Sequence, residues 1–273
     1  MSLWSTDARD GIVVATYKNP PMNYFCADGT RELVGLIEAW RDPAVRAVIL
    51  TGGMTGKFIT HYSVEELLAL ASDTETMRVL SISLTTGYHA MLRELRDLPK
   101  PVIVAMNGDT MGGGFELSLS CDIRVGARGD HRFGLPEVKL GILPGGCGTQ
   151  RLSRLIGAGR AIEFILRGRV VRPEEALALG LIHEVADDCV ARAKEIAAEI
   201  AASPAIAIAK AKRAVYQGSD THLAAGLEIE SENFLETMLS DDARLAMKTY
   251  VDLPFEKRRD WIERPRHPKY AGR

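Results

Sequence analysis

A chain of 273 residues, 46% hydrophobic and 26% charged with a net charge of −2, reads as a globular protein large enough to bury a substantial core. It has no basic stripe for nucleic acid, no apolar run near the ~18 residues of a membrane span, and no C-x-x-C pair among its four cysteines, Cys26, Cys121, Cys147 and Cys189. The expectation is a protein of the cytoplasm with reduced thiols; the first ten residues hold no apolar signal core.

In chain order, Gly11–Tyr17 is a strand ended by Asn19-Pro20-Pro21. Asp28 is placed to cap a helix with Leu33, Leu36, Ile37 and Trp40 at helical spacing, stopped near Asp42-Pro43. Val45–Thr51 is a second strand, and Gly52–Gly56 the loop after it. Gly56-Lys57 imitates the end of a P-loop, but the spacing from Gly52 is one residue short and Phe58 stands where Ser or Thr must hold the metal. Ser63 with Glu66 three later forms a capping box, so a helix begins there and its first amides, with that of Tyr62, are potential outward donors. A long helix over Thr76–Leu98 is stopped by Pro99 and Pro101.

Pro101–Ala105 is a β-branched, buried strand, and the stretch Met106–Asp122 after it is the most informative in the chain. Gly112-Gly113-Gly114 opens a short helix, and a strand, a glycine bend and a helix start together leave backbone N–H groups pointing outward. Such a turn can bind an anion or stabilise an oxyanion. Glu116 in the first helical turn suits the helix dipole, so a dipole-matched structural carboxylate and a catalytic one both fit. Ile123–Ala127 is another strand. Phe133–Leu152 is rich in Gly and Pro and opens a helix near Thr149; so much irregular backbone around Glu137 suits a functional loop, with a capping or surface role as the alternative.

From Arg160 the chain is helical. Pro173–Leu179 is closed by Gly180, Asp187 or Asp188 caps a helix to about Ala202, and Ser203-Pro204 opens one to Gly218. Helices over His222–Leu239 and Asp241–Val251 carry apolar stripes that need a partner surface. The six histidines (61, 89, 131, 183, 222, 267) and scattered cysteines show no metal-ligand spacing and read as surface or packing residues. No G-x-S-x-G is present, and Leu117 stands where a dinucleotide fingerprint needs its third glycine.

Over nearly its whole length the chain resembles the crotonase (enoyl-CoA hydratase/isomerase) superfamily. The resemblance is carried by Lys100–Gly108, Gly112-Gly113-Gly114-Phe115-Glu116-Leu117, Cys121-Asp122, Phe133-Gly134-Leu135-Pro136-Glu137 and Gly141–Gly145 through Gly148–Leu152, continued by Arg160-Ala161, Glu175-Ala176 and Gly180-Leu181. It implies an α/β fold with a spiral ββα core, 1–200, and a C-terminal helical region, 201–273, that helps form homotrimers or hexamers. It implies an acyl-CoA substrate with no separate cofactor and no metal, and hydration of a trans-2-enoyl-CoA thioester. The alternatives are another acyl-CoA reaction of the superfamily (isomerase, decarboxylase or thioester hydrolase) or a non-catalytic scaffold relative. Glu116 and Glu137 match the two catalytic glutamates of the hydratases. The amides of Tyr62 and Gly113 match the oxyanion hole, and Gly145 a glycine near the attacking water. The chain departs from the pattern at Thr60-His61-Tyr62-Ser63, where the family carries small residues, a glycine and an aspartate, and at Cys147, which replaces a glycine.

Overall fold

The computed structural model describes residues 2–263 and 268–272. Strand β1 (Trp4–Arg9) pairs antiparallel with β2 (Ile12–Tyr17). Only Trp4 of β1 is buried, so this edge strand lacks the alternation that marks a strand in sequence. Helix α1 (Ala27–Ala39) is preceded by Cys26 without a side-chain cap. Asp28 lies inside its first turn, which corrects the expected cap, and the open Ala27 amide donates instead to Glu66 Oε2 at 3.0 Å.

Strands β3 (Ala47–Gly52) and β4 (Gly56–Lys57) lead to helix α2 (Val64–Ser72), whose Glu66 amide donates to Ser63 Oγ at 3.1 Å. Only half of the capping box therefore forms, because the Glu66 carboxylate is spent on α1. The long helix expected over 76–98 is two helices, α3 (Thr74–Leu80) and α4 (Thr86–Asp97), separated by a 3₁₀ turn at Ser81–Thr85. Ser81 has φ +48°, and the Ser-Ile-Ser-Leu-Thr run offers poor helix formers and no buried anchor.

Strand β5 (Val102–Met106) is followed by a short strand, β6 (Gly108–Met111), within the expected glycine turn, and then by helix α5 (Gly113–Ser118). Strand β7 (Ile123–Ala127), strand β8 (Phe133–Gly134), a 3₁₀ turn at Glu137–Leu140 and helix α6 (Gly148–Ile156) come next. Then follow α7 (Ala158–Leu166), β9 (Val170–Val171), α8 (Pro173–Ala178), β10 (Glu184–Ala186) and α9 (Cys189–Ala201), with Asp188 capping α9 through the Val190 and Ala191 amides. The remaining elements are helices α10 (Ala205–Ser219), α11 (Leu223–Met238), α12 (Asp241–Val251) and α13 (Phe255–Glu263). The histidine at position 267 lies outside the described residues.

The strands form two sheets, ordered β1-β2-β3-β5-β7-β10 and β4-β6-β8-β9. From β3 onward the chain repeats one unit three times: a long parallel strand in the first sheet, a short one in the second, then a helix. This is the ββα spiral. The large core lies under α1, α4 and α5 and includes Tyr17, Phe25, Leu33, Phe115 and Phe133; a second, smaller cluster is formed by Ile49, Ile103 and Val125 against Ala193 and Ile196 of α9. Beyond α9, helix α10 is tied to this body at Asp122, whose carboxylate accepts from Lys212 Nζ at 2.7 Å, Tyr216 Oη at 2.8 Å and the Val102 amide at 2.7 Å.

Candidate active site

The register of the short sheet assembles the site. Lys57 of β4 pairs with Asp109 of β6, and Thr110 and Met111 of β6 pair with Phe133 and Gly134 of β8. Two further hydrogen bonds extend this pairing beyond the strands: Met111 N to Thr60 O at 2.8 Å and Gly112 N to Gly134 O at 2.9 Å. The segments 60–62, 111–116 and 134–137 therefore run side by side, each the exit of one spiral turn. Tyr62, Gly113 and Glu137, 75 residues apart in sequence at the extremes, become neighbours.

Gly112 has φ +48°, a left-handed conformation that bends the chain out of β6 and into α5 and favours glycine. The following residue, Gly113, is fully inside the fold, and a Cβ built on it would stand 2.9 Å from Tyr62 Cβ and 3.5 Å from Tyr62 N. Among the described residues neither the Tyr62 nor the Gly113 amide donates a hydrogen bond. Two free N–H donors thus sit in adjacent strands.

Beside them lie two buried carboxylates. Glu116, in α5, accepts from the Gly148 amide on Oε1 at 2.6 Å, and Gly146 approaches so closely that a Cβ there would meet Glu116 Oε2 at 2.5 Å. Burial raises its pKa to about 7, held down in part by the Gly148 and Gly146 amides. Glu137 begins the 3₁₀ turn with its carboxylate against Gly112, where a Cβ would lie 3.2 Å from Oε1. Neither of its oxygens has a hydrogen-bond partner, and burial first, then the charge of Glu116, raises its pKa to about 8. Both groups are costly to ionise, and the partnered one is the easier to ionise.

The other residues singled out in the sequence also fall near these groups. Gly145 lies in the turn that carries Gly146 and Gly148, with its carbonyl 2.7 Å from His89 Nε2. It is the amide of Gly148 that reaches Glu116, and that amide was readable as a helix-start donor in the run Gly145-Gly146-Cys147-Gly148. His61 stacks on Tyr24 at 4.1 Å between ring centroids, and its Nδ1 donates to the Tyr62 carbonyl at 2.7 Å. Cys147 adopts the glycine-like φ of +95°; its sulfur accepts from Arg151 Nε at 3.1 Å, and burial pushes its thiol up to about 11. Tyr88 of α4 is the residue that sequence reading missed: its hydroxyl donates to the Gly113 carbonyl at 2.9 Å, and nothing in the periodicity of its helix sets it apart. Among the described residues no group of three His, Cys, Asp or Glu side chains is placed to hold a metal ion, and no helix is long and apolar enough to cross a membrane.

The three-turn spiral with its trailing helices is the fold of the crotonase superfamily. Within it, the profile described as enoyl-CoA hydratase/isomerase matches residues 7–264, and the chain belongs to that family. It is 42% identical over 263 residues, 94% of this chain and 96% of the other, to the Bacillus subtilis (strain 168) protein YngF, named for enoyl-CoA hydratase/isomerase. The short-chain-enoyl-CoA hydratase of Clostridium acetobutylicum is 36% identical over 247 residues, 88% of this chain and 91% of that one. The crystal structure of an enoyl-CoA hydratase from Bacillus anthracis aligns over 100% of both chains with a TM-score of 0.85 and 31% identity.

Proposed function

We propose that the protein is a hydro-lyase of the enoyl-CoA hydratase type, adding water across the C2–C3 double bond of a trans-2-enoyl-CoA. The observation that supports this most is a pair of buried carboxylates, one bonded to a backbone amide and one without a partner, beside two unused backbone amides. In this reading the thioester oxygen accepts from the Tyr62 and Gly113 amides, which stabilise the negative charge it gains in the enolate; one such donor is worth about 3–4 kcal/mol. Tyr62 serves through its backbone, so the ring at a position the family keeps small does not remove the donor.

Glu116 is the better base, because backbone N–H donors favour its charged form. It takes a proton from water as the oxygen bonds to C3. Glu137, without a partner and with the higher pKa, holds the proton that passes to C2. One proton enters the pair and one leaves it, so the net charge of the pair is restored at the end of the turnover. Gly145, with Gly146 and Gly148, shapes the turn that faces the water. Coenzyme A belongs to the substrate, and no other cofactor is assigned. Four unbonded cysteines fit a reducing cytoplasm. We assign 1–200 to the spiral core and 201–273 to assembly as a homotrimer or hexamer, because Leu223, Phe234, Leu239 and Val251 expose large apolar surface on α11, α12 and the turn between them.

The test follows the conjugated-enoyl absorbance of a short trans-2-enoyl-CoA. Wild type should bleach it, and Glu116→Gln and Glu137→Gln should each slow that loss by about 10²–10⁴-fold. Tight acyl-CoA binding with no absorbance change in wild type would defeat the hydration reading.

A further inference from the structure

Tyr88 takes no part in the steps above, yet it contacts Gly113, Tyr62 and the Gly146 turn that holds Glu116. Its hydroxyl holds the carbonyl of Gly113, the residue whose amide faces the thioester in the proposed reaction. Its ring lies against bare backbone at Gly146, where a Cβ would come within 2.5 Å of Tyr88 Cε1 and, on its other side, within 2.5 Å of Glu116 Oε2. The ring also meets Tyr62 edge-on, with centroids 5.9 Å apart at 84°, and Phe25 at 6.1 Å; Tyr62 and Phe25 meet at 6.2 Å. The three rings thus pack edge to edge into one aromatic wall, with Phe25 fully buried, Tyr62 beside Gly113 and Tyr88 close to Glu116. Burial, then the charge of Glu116, holds the phenol far above its ordinary pKa, so the hydroxyl stays a donor and is no base.

An acyl group that places its carbonyl at the amides and C3 at the carboxylates must lie along this wall. Beyond that point, the Tyr88 ring packs against Gly146 and His89 Nε2 lies 2.7 Å from the Gly145 carbonyl, so α4 meets the 145–148 turn there. Resting on the hydration reading for the direction of the acyl group, we propose that the Tyr88 ring is the specificity-determining residue that closes the acyl end of the site and restricts it to short, flat enoyl thioesters. Its hydroxyl acts separately, as a positioning group that fixes Gly113.

The experiment compares wild type, Tyr88→Phe, Tyr88→Leu and Tyr88→Ala on trans-2-butenoyl-CoA and trans-2-decenoyl-CoA. Calorimetric Kd values for the saturated butanoyl- and decanoyl-CoA are measured in parallel. Wild type should favour the butenoyl thioester. Tyr88→Ala, and Tyr88→Leu to a lesser degree, should raise the decenoyl-to-butenoyl ratio of kcat/KM by about tenfold or more, with the Kd ratio moving the same way. Tyr88→Phe should keep the wild-type ratio and lower kcat several-fold at nearly unchanged KM, a split that mere loss of stability would not produce. A wild type that favours the long thioester, or folded Ala and Leu variants with unchanged ratios, would overturn the proposal. A Phe variant that relaxes the ratio as Ala does would also overturn it, by moving specificity from the ring to the hydroxyl. Absence of hydration in wild type would defeat the reaction reading alone, since the Kd ratios still decide the role of Tyr88.

Discussion

Replacing Glu137 with Gln should inactivate the enzyme and stabilise its fold. The carboxylate is buried, neither oxygen has a partner, and its pKa rises from 4.5 to about 8. A folded-state pKa above the unfolded value means that the folded chain holds this proton more tightly. The stability contribution is complete below about pH 4.5 and is lost progressively as pH rises through about 8. From 4.5 to pH 7 is about 2.5 pH units at about 1.4 kcal/mol each, so ionisation in the unfolded chain costs the fold roughly 3 kcal/mol at neutral pH. Gln cannot ionise, matches the shape of the protonated acid and forfeits no hydrogen bond. The expected outcome is a Tm above that of wild type by roughly 5–10 °C at pH 7, shrinking to about 1–2 °C at pH 5. Differential scanning calorimetry of both proteins at the two pH values, on the same assembly state, measures it. A gap that does not depend on pH, or a variant less stable than wild type at pH 7, would refute the claim that the site stores an ionisation cost in Glu137.

The same two groups predict a bell-shaped pH profile for kcat/KM on an enoyl-CoA substrate. Its acid limb near 7 marks protonation of the base and its alkaline limb near 8 loss of the acid's proton, both belonging to the pair as a whole. Gly146→Ala should cost at least about tenfold in kcat, because its Cβ would fall 2.5 Å from both Glu116 Oε2 and Tyr88 Cε1; overpacking should also remove about 1–3 kcal/mol of stability, read in urea. Asp122→Ala should destabilise the chain by about 1–3 kcal/mol in the same denaturation assay, since it removes three hydrogen bonds and the counter-charge of the half-buried Lys212; Asp122→Asn, whose one oxygen still accepts from Val102 and Lys212 while its NH2 can donate to Tyr216 Oη, should cost less.

Much of the architecture was legible in the sequence because it rests on local rules. Strand β7 was read with its observed limits from a short β-branched run, α8 from proline at its start and Gly180 at its end, and α9 from its Asp cap. What could not be read depends on partners far away in sequence. Glu66 follows Ser63 at capping-box spacing, yet its carboxylate serves the Ala27 amide, a contact made only when α1 and α2 meet. β6 hides in a glycine-rich stretch because its short pairing with β4 and β8 depends on bare backbone approaching bare backbone, not on apolar alternation. For the site, Glu116, Glu137 and Gly113 were marked by the glycine-rich stretches 112–114 and 134–148 around them, whereas Tyr88 sits in a helix with only the lone Gly87 before it. Its role exists only because the break at Ser81–Thr85 lets α4 start against the 145–148 turn.

The position of the carboxylates follows from how a spiral with a second sheet must close. Each turn carries, before its helix, a short strand of two to four residues, too brief to have a hydrophobic face of its own. Its stability comes from hydrogen bonds to the turns above and below, and those bonds fix the exits at 62, 113 and 137 in one row. The amides of Tyr62 and Gly113 project from the row just past the last bonds that pair these turns. The glycines at 112, 146 and 148 also leave room beside their bare backbone for the carboxylates of Glu137 and Glu116 to lie out of water. Free donors and high-pKa acids therefore arise from one geometric cause, and a side chain added at Gly112, Gly146 or Gly148 would disturb both at once.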